Sequence, residues 1–151
     1  MAQKTLAALA VAVAATGGVL MPAVSQAQLA YNVGVVSDYR YRGISQSRLK
    51  PALQGGMDYT AGGLYVGAWA STIRWIEDVD GDAKVEIDLY GGYKGEITKG
   101  FGYDVGVLTY VYPSNKLDPS ANTTEIYGAL TYGPATLKYS HSVSNLFGFA
   151  N

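Results

Sequence analysis

Cysteine is absent from the 151 residues. That removes a disulfide framework and any thiolate metal site. Charge is scarce, at 15%, and neither sign dominates, with 11 Lys and Arg against 12 Asp and Glu. A nucleic-acid binder that works by counterion release needs a basic surplus that this chain lacks, so no nucleic-acid partner is expected. Apolar runs with 3.6 periodicity are missing, so no helical core is expected. Disorder is excluded from the other side, because 48% of the side chains are hydrophobic. Two residue types are abundant: 19 Gly and 13 Tyr. Gly and Tyr at this level, with so little charge, point to strands in an unusual solvent rather than to an ordinary enzyme core. The length suits one domain.

The N-terminus reads as an address. Met1 to Lys4 is a short positive region, and Thr5 to Met21 is apolar and rich in Ala, Val and Leu. Pro22 breaks the run, and the small residues Ala23, Ser25 and Ala27 follow. This pattern predicts a secretory signal peptide over 1–27 and a mature domain over 28–151. The rival reading is a membrane anchor, but Gly17, Gly18 and Pro22 interrupt the run and no basic cluster follows it. No later stretch approaches the roughly 18 apolar residues that a membrane helix needs.

The rest of the chain alternates. Over 31–42, Tyr31, Val33, Val35, Ser37, Tyr39 and Tyr41 share one face, and Asn32, Gly34, Val36, Asp38, Arg40 and Arg42 share the other. A period of two is the mark of a strand between two different environments. The same pattern recurs over 52–60, 84–96, 102–112 and 135–143, and two more strands are expected near 64–73 and 124–132, with their facing open. Short connections (Ala61-Gly62-Gly63, Gly95 to Gly100, Gly133-Pro134) alternate with longer polar ones (43–50, 74–83, 113–123). An up-and-down antiparallel sheet with short turns at one end and long loops at the other gives that order, as in outer-membrane β-barrels. Strands of this length also suit a tilted membrane span.

Alternation alone does not say which face meets which solvent. A soluble barrel turns its apolar face inward, whereas a membrane barrel turns it out to lipid. Tyrosine placement favours the membrane. Tyr31, Tyr59, Tyr93 and Tyr103 lie on apolar faces near one end of their strands, and Tyr39 and Tyr41 mark the opposite end of the first. Aromatic girdles at both membrane interfaces predict this. The polar face then supplies lumen candidates: Asp38, Arg40, Arg42, Asp58, Lys84, Glu86, Asp88, Lys94 and Asp104.

The segments Ser37-Asp38-Tyr39-Arg40-Tyr41-Arg42-Gly43-Ile44-Ser45-Gln46-Ser47, Pro51-Ala52-Leu53-Gln54-Gly55-Gly56 and Gly63-Leu64-Tyr65-Val66-Gly67-Ala68-Trp69-Ala70-Ser71 resemble the proteobacterial TorF-type porin family. Arg42-Gly43-Ile44-Ser45-Gln46-Ser47 is the most specific part. The resemblance runs from about residue 30 to the end of the chain. It implies an outer-membrane barrel with no established substrate and supplies no catalytic residues. Members of that family are usually longer than this chain. Seven strands are visible, whereas single-chain bacterial barrels have an even number, so the expectation is an incomplete barrel, truncated at its C-terminus, with a miscounted strand as the alternative. The partners expected are outer-membrane lipid and lipopolysaccharide, the barrel-assembly machinery, and small polar solutes. No cofactor is expected.

Other candidates carry blander readings beside the functional ones. Glu77, Asp78, Asp80 and Asp82 cluster in one long connection and form a weak candidate Ca²⁺ loop, but the spacing departs from the EF-hand, and a solvated acidic loop accounts for them. Arg40, Arg42 and Arg48 suit anionic solutes or lipopolysaccharide phosphates, or a charge network with Asp38, Asp58 and Glu86. His141 is the only histidine, and its flanking Ser140 and Ser142 point to the opposite face, so no catalytic triad forms there and no enzyme is expected. Trp69 and Trp75 read as girdle or packing residues. The sequence thus predicts a porin-like outer-membrane barrel. A plugged structural or adhesion-type barrel and a soluble periplasmic ligand-binding barrel stay open beside it.

Overall fold

The structure, a computed structural model, describes residues 27–149. The expected leader over 1–27 lies almost wholly outside the described residues. In chain order the elements are β1 (Gln28–Val36), β2 (Arg40–Tyr41), β3 (Ile44–Ser45), β4 (Ala52–Ala61), β5 (Leu64–Thr72), a 3₁₀ turn (Trp75–Val79), β6 (Val85–Thr98), β7 (Phe101–Val111), β8 (Thr123–Tyr132) and β9 (Ala135–Ser142). Among the described residues, seven of these strands form one antiparallel sheet in the order β1-β4-β5-β6-β7-β8-β9. Each strand pairs with its sequence neighbours, as an up-and-down meander requires. The sheet is open: β1 and β9 are its two edges.

Turn chemistry explains the short end. Gly62 lies in the left-handed region between β4 and β5, Gly133 between β8 and β9, and Gly100 between β6 and β7. Tight hairpin turns favour residues that tolerate positive φ, glycine above all. The β6–β7 hairpin is tighter than the sequence suggested, because β6 runs on to Thr98 through a register shift between Glu96 and Thr98. The long connections all fall at the other end.

The first strand is shorter than its alternation. The pattern over 31–42 reads as one strand, but β1 ends at Val36. Asp38 accepts hydrogen bonds from the Ser45 hydroxyl (2.5 Å) and the Ser47 hydroxyl (3.1 Å), and the Tyr39 N–H donates to Ser47 Oγ (2.9 Å). These side chains fold the segment back on itself as the small β2–β3 hairpin, whose turn residues Arg42 (φ 48) and Gly43 (φ 85) both have positive φ.

The register gathers the large exposed apolar positions of the sheet on one face. One row of neighbours runs Leu29, Tyr59, Val66, Gly91, Val107, Ile126, His141, and the next Tyr31, Met57, Ala68, Leu89, Thr109, Thr124. Directly opposed residues share a face in an antiparallel pair, so this face is continuous across the sheet. Its side chains are exposed: Val33 by 78%, Leu137 by 75%, and Leu53, Leu64 and Leu89 by half or more. The opposite face carries Asp58, Tyr65, Trp69, Glu86, Asp88, Tyr90, Lys94, Asp104, Tyr110, Glu125, Tyr127 and Lys138.

The buried core is not between layers of sheet. Ile73, Ile76, Ala83, Tyr110, Tyr112 and Ala121 form it, with Trp75, Leu117 and Phe147 packed against it. These residues come from the long connections, the adjoining strand ends and, for Phe147, the segment after β9. The connections therefore cluster into a cap at one end of the sheet. Gly81 is needed there, because a Cβ would come within 2.5 Å of Ile76 Cγ2 and 2.6 Å of the Asn115 carbonyl. Among the described residues no helix is long and apolar enough to cross a membrane.

Candidate functional site: the polar face and its cap

The segment after β1 crosses the polar face strand by strand. The Tyr39 hydroxyl donates to Glu86 on β6 (2.5 Å), the Tyr41 hydroxyl shares a hydrogen bond with Tyr110 on β7 (2.7 Å), and Arg42 holds both oxygens of Glu125 on β8 (3.0 and 3.1 Å). Tyr39 also stands edge-on to Trp69 at 5.4 Å. The girdle role expected for Tyr39 and Tyr41 is therefore corrected: both rings lie against the polar face, because the chain leaves β1 at Ser37 and turns inward. Tyr31, Tyr59, Tyr93 and Tyr103 do lie on the apolar face, and Tyr93 stacks on Tyr103 at 6.2 Å.

The lumen candidates fall into two groups. Asp58, Glu86, Asp88, Lys94 and Asp104 stand on strands of the polar face. Asp38, Arg40 and Arg42 belong instead to the inward-folded segment, and Lys84 precedes β6 in the cap, 3.9 Å from Glu77. Arg40 pairs with Asp38 at 2.8 Å rather than with a strand residue. Burial, and then the nearby Glu86 carboxylate, push the Tyr39 hydroxyl well above the ordinary tyrosine range, so it stays a donor.

Glu86 and Glu125 are the buried acids, 2% and 3% exposed. Glu86 takes hydroxyl hydrogen bonds from both Tyr39 and Tyr112 (2.7 Å). A buried carboxylate with two hydroxyl donors is satisfied without a cation. The same pairing recurs along the face. Tyr90 donates to Asp58 (2.5 Å), and Tyr65 donates to Asp104 (2.5 Å) and also hydrogen-bonds Tyr127. These contacts join strands that are not neighbours, as a sheet curled toward its polar face requires. Tyr65, Tyr127 and Glu125 escaped the sequence reading because the facing of their strands was open; Tyr90 and Lys138 stood on the right face without being singled out.

Two adjoining cavities lie in this concavity. One, about 490 Å³, is bounded by Tyr39 and Trp69 toward the cap and by Lys94 and Asp104 toward the short turns; the other, about 480 Å³, reaches Arg42, Tyr110 and Glu125. Asp88, Leu108 and Lys138 border both.

The acidic connection does not gather a metal site. Asp78 pairs with Arg48, which also reaches Glu77 at 3.1 Å, and Asp82 pairs with Lys116. These partners hold both aspartates below the ordinary carboxylate range. Asp80 stands apart in a left-handed conformation after the 3₁₀ turn. Among the described residues no group of three ligating side chains could hold a metal ion. His141 lies on the apolar face opposite Ile126. Trp75 packs in the cap edge-on to Tyr112 at 5.3 Å, and Trp69 lines the groove.

No curated protein and no solved structure matches the chain. One family, described as a bacterial protein of unknown function (Gcw_chp), matches residues 21–151. With nearly all of its length covered by that match, the chain belongs to the Gcw_chp family.

Proposed function

We propose that the sheet is the wall of an outer-membrane β-barrel whose wetted polar face passes or binds small polar solutes. One observation carries this reading: the molecule is inside out. About twenty large apolar side chains are exposed together on one face, while the acidic and basic side chains of the sheet strands lie on the other. A soluble monomer rarely leaves a contiguous apolar patch above roughly 300–600 Å². In lipid that face needs no cover, and the polar face needs water. Short turns at one end, long loops at the other and the secretory leader expected at the N-terminus fit the same reading. So does the resemblance of the 37–71 region to TorF-type porins.

The cap favours a second reading, a barrel plugged by its own side chains, because the segment from Tyr39 to Arg42 spans β6 to β8 across the lumen side. Fractionation after expression in a Gram-negative host, followed by electrophoresis with and without heating, tests the membrane reading. Recovery in the outer membrane with a heat-dependent mobility shift supports it, and recovery in the osmotic-shock fluid overturns it. Single-channel conductance in planar bilayers then separates the two barrels: discrete steps indicate an open pore, and their absence a plug.

A further inference from the structure

Most acidic and basic groups on the polar face are already engaged. Tyr90 serves Asp58, Tyr65 serves Asp104, and Arg42 serves Glu125. Three groups are not. Asp88 Oδ1 is shielded from solvent and has no hydrogen-bond partner, a costly state for a carboxylate oxygen. Lys94 and Lys138 have no carboxylate partner among the described residues; their ammonium groups stand over the rings of Tyr65 (5.5 Å) and Tyr127 (4.0 Å).

Asp88 and Lys138 border the same two cavities, yet they do not pair. Between them lies Leu108, on β7, which also borders both. Along β7 the register sets Asp88 level with Tyr110 and Lys138 level with Asp104, so Leu108 falls between the two levels. Trp69 is the direct cross-strand neighbour of Asp88. The groove therefore presents a carboxylate beside an aromatic ring, then an aliphatic floor, then an ammonium group.

We propose that this groove binds a small zwitterion: an ammonium group on Asp88 beside Trp69, a short hydrocarbon spacer over Leu108, and a carboxylate on Lys138. A simple cation leaves Lys138 unmatched, and a simple anion meets Asp88. A dipolar solute satisfies both ends and adds no net charge to a low-dielectric groove. The π face of Trp69 adds attraction for the ammonium group. This deepens the reading of the polar face as the wetted side and rests on it.

The test titrates the full chain, folded in detergent micelles, with 4-aminobutanoate, 6-aminohexanoate and 8-aminooctanoate. Each is set against the alkylamine and the alkanoate of the same length. Tryptophan fluorescence reports on Trp69, and calorimetry supplies a second signal. At least one amino acid is expected to bind saturably and about tenfold or more tighter than either single-charge analogue. D88N and K138Q should each weaken it by about tenfold, whereas K116Q in the cap should not. Absence of binding, equal binding of the amine or the acid, or unchanged affinity in both D88N and K138Q overturns the proposal. Fractionation separates the two failures. A chain found in the outer membrane without zwitterion preference refutes only the ligand class. A chain that binds the zwitterion but fractionates as soluble refutes only the membrane reading.

Discussion

Tyr65 on β5 and Tyr127 on β8 hydrogen-bond through their hydroxyls across the two strands that separate them. The register row between them reads Tyr65, Gly92, Gly106, Tyr127. Each ring lies over the glycine beside it: a Cβ on Gly92 would come within 2.5 Å of the Tyr65 hydroxyl, and one on Gly106 within 2.6 Å of the Tyr127 hydroxyl. Gly67 lies under Tyr90 in the same way, and on the apolar face Gly95 lies under Tyr103. Part of the surplus of glycine and part of the surplus of tyrosine are thus one feature, a ring laid across a bare backbone.

That pairing separates two glycines. At Gly106 an added methyl meets the Gly91 carbonyl at 2.6 Å as well as the Tyr127 ring. G106A should cost about 1–3 kcal/mol, the usual penalty for overpacking. At Gly34 nothing lies within 4 Å of the added methyl. G34A should be neutral or stabilise by up to about 1 kcal/mol. Urea unfolding of the micelle-folded chain checks both, and equal effects at the two sites would contradict the packing argument.

Glu86 supplies a second prediction. Y112F removes one of its two hydroxyl donors inside the cap. A buried carboxylate left short of a partner costs about 1–3 kcal/mol. E86Q in the Y112F background should recover part of that loss, because the amide carries less charge to satisfy. Thermal unfolding of the two single variants and the double variant measures the coupling. Strict additivity would show that the pair does not act together.

The cap should also loosen in acid, in one direction only. Arg48 lowers Asp78, and Lys116 lowers Asp82. A depressed carboxyl contributes fully above its unfolded value and is lost as pH falls through its folded one. Emission from Trp75 in a W69F background should therefore stay constant from pH 7 down to about pH 5 and shift to the red below. The pairs are exposed, so salt should weaken them. R48A should start red-shifted at pH 7 and respond less to acid. A red shift on raising the pH, or an R48A curve identical to the parent, would contradict the assignment.

The strands were legible because a period of two runs through most of them and turn residues bound the others, and β4, β5, β8 and β9 match the sequence reading to within a residue. The faces followed wherever charge and apolar residues separate cleanly, as over Val85 to Glu96. The inward fold of Tyr39 and Tyr41 was not legible. Its alternation continues that of β1, and what breaks the strand is a set of side-chain hydrogen bonds between Asp38, Ser45 and Ser47 that no periodicity records. The tyrosine contacts across the polar face depend on register, and register between strands is a tertiary property. Gly92 and Gly106 look like turn or flexibility residues until the register sets them under Tyr65 and Tyr127.

The central claim is that one face of the sheet meets lipid and the other meets water. The chain has no cysteine, so single cysteines report without background. Val107 lies mid-strand on the exposed apolar face, and Lys138 lies mid-strand on the polar face. With V107C and K138C reconstituted in lipid vesicles, the account predicts that a lipid-soluble maleimide labels V107C while a charged, membrane-impermeant maleimide labels only K138C. Equal labelling of both by the charged reagent, or the reverse pattern, would contradict it.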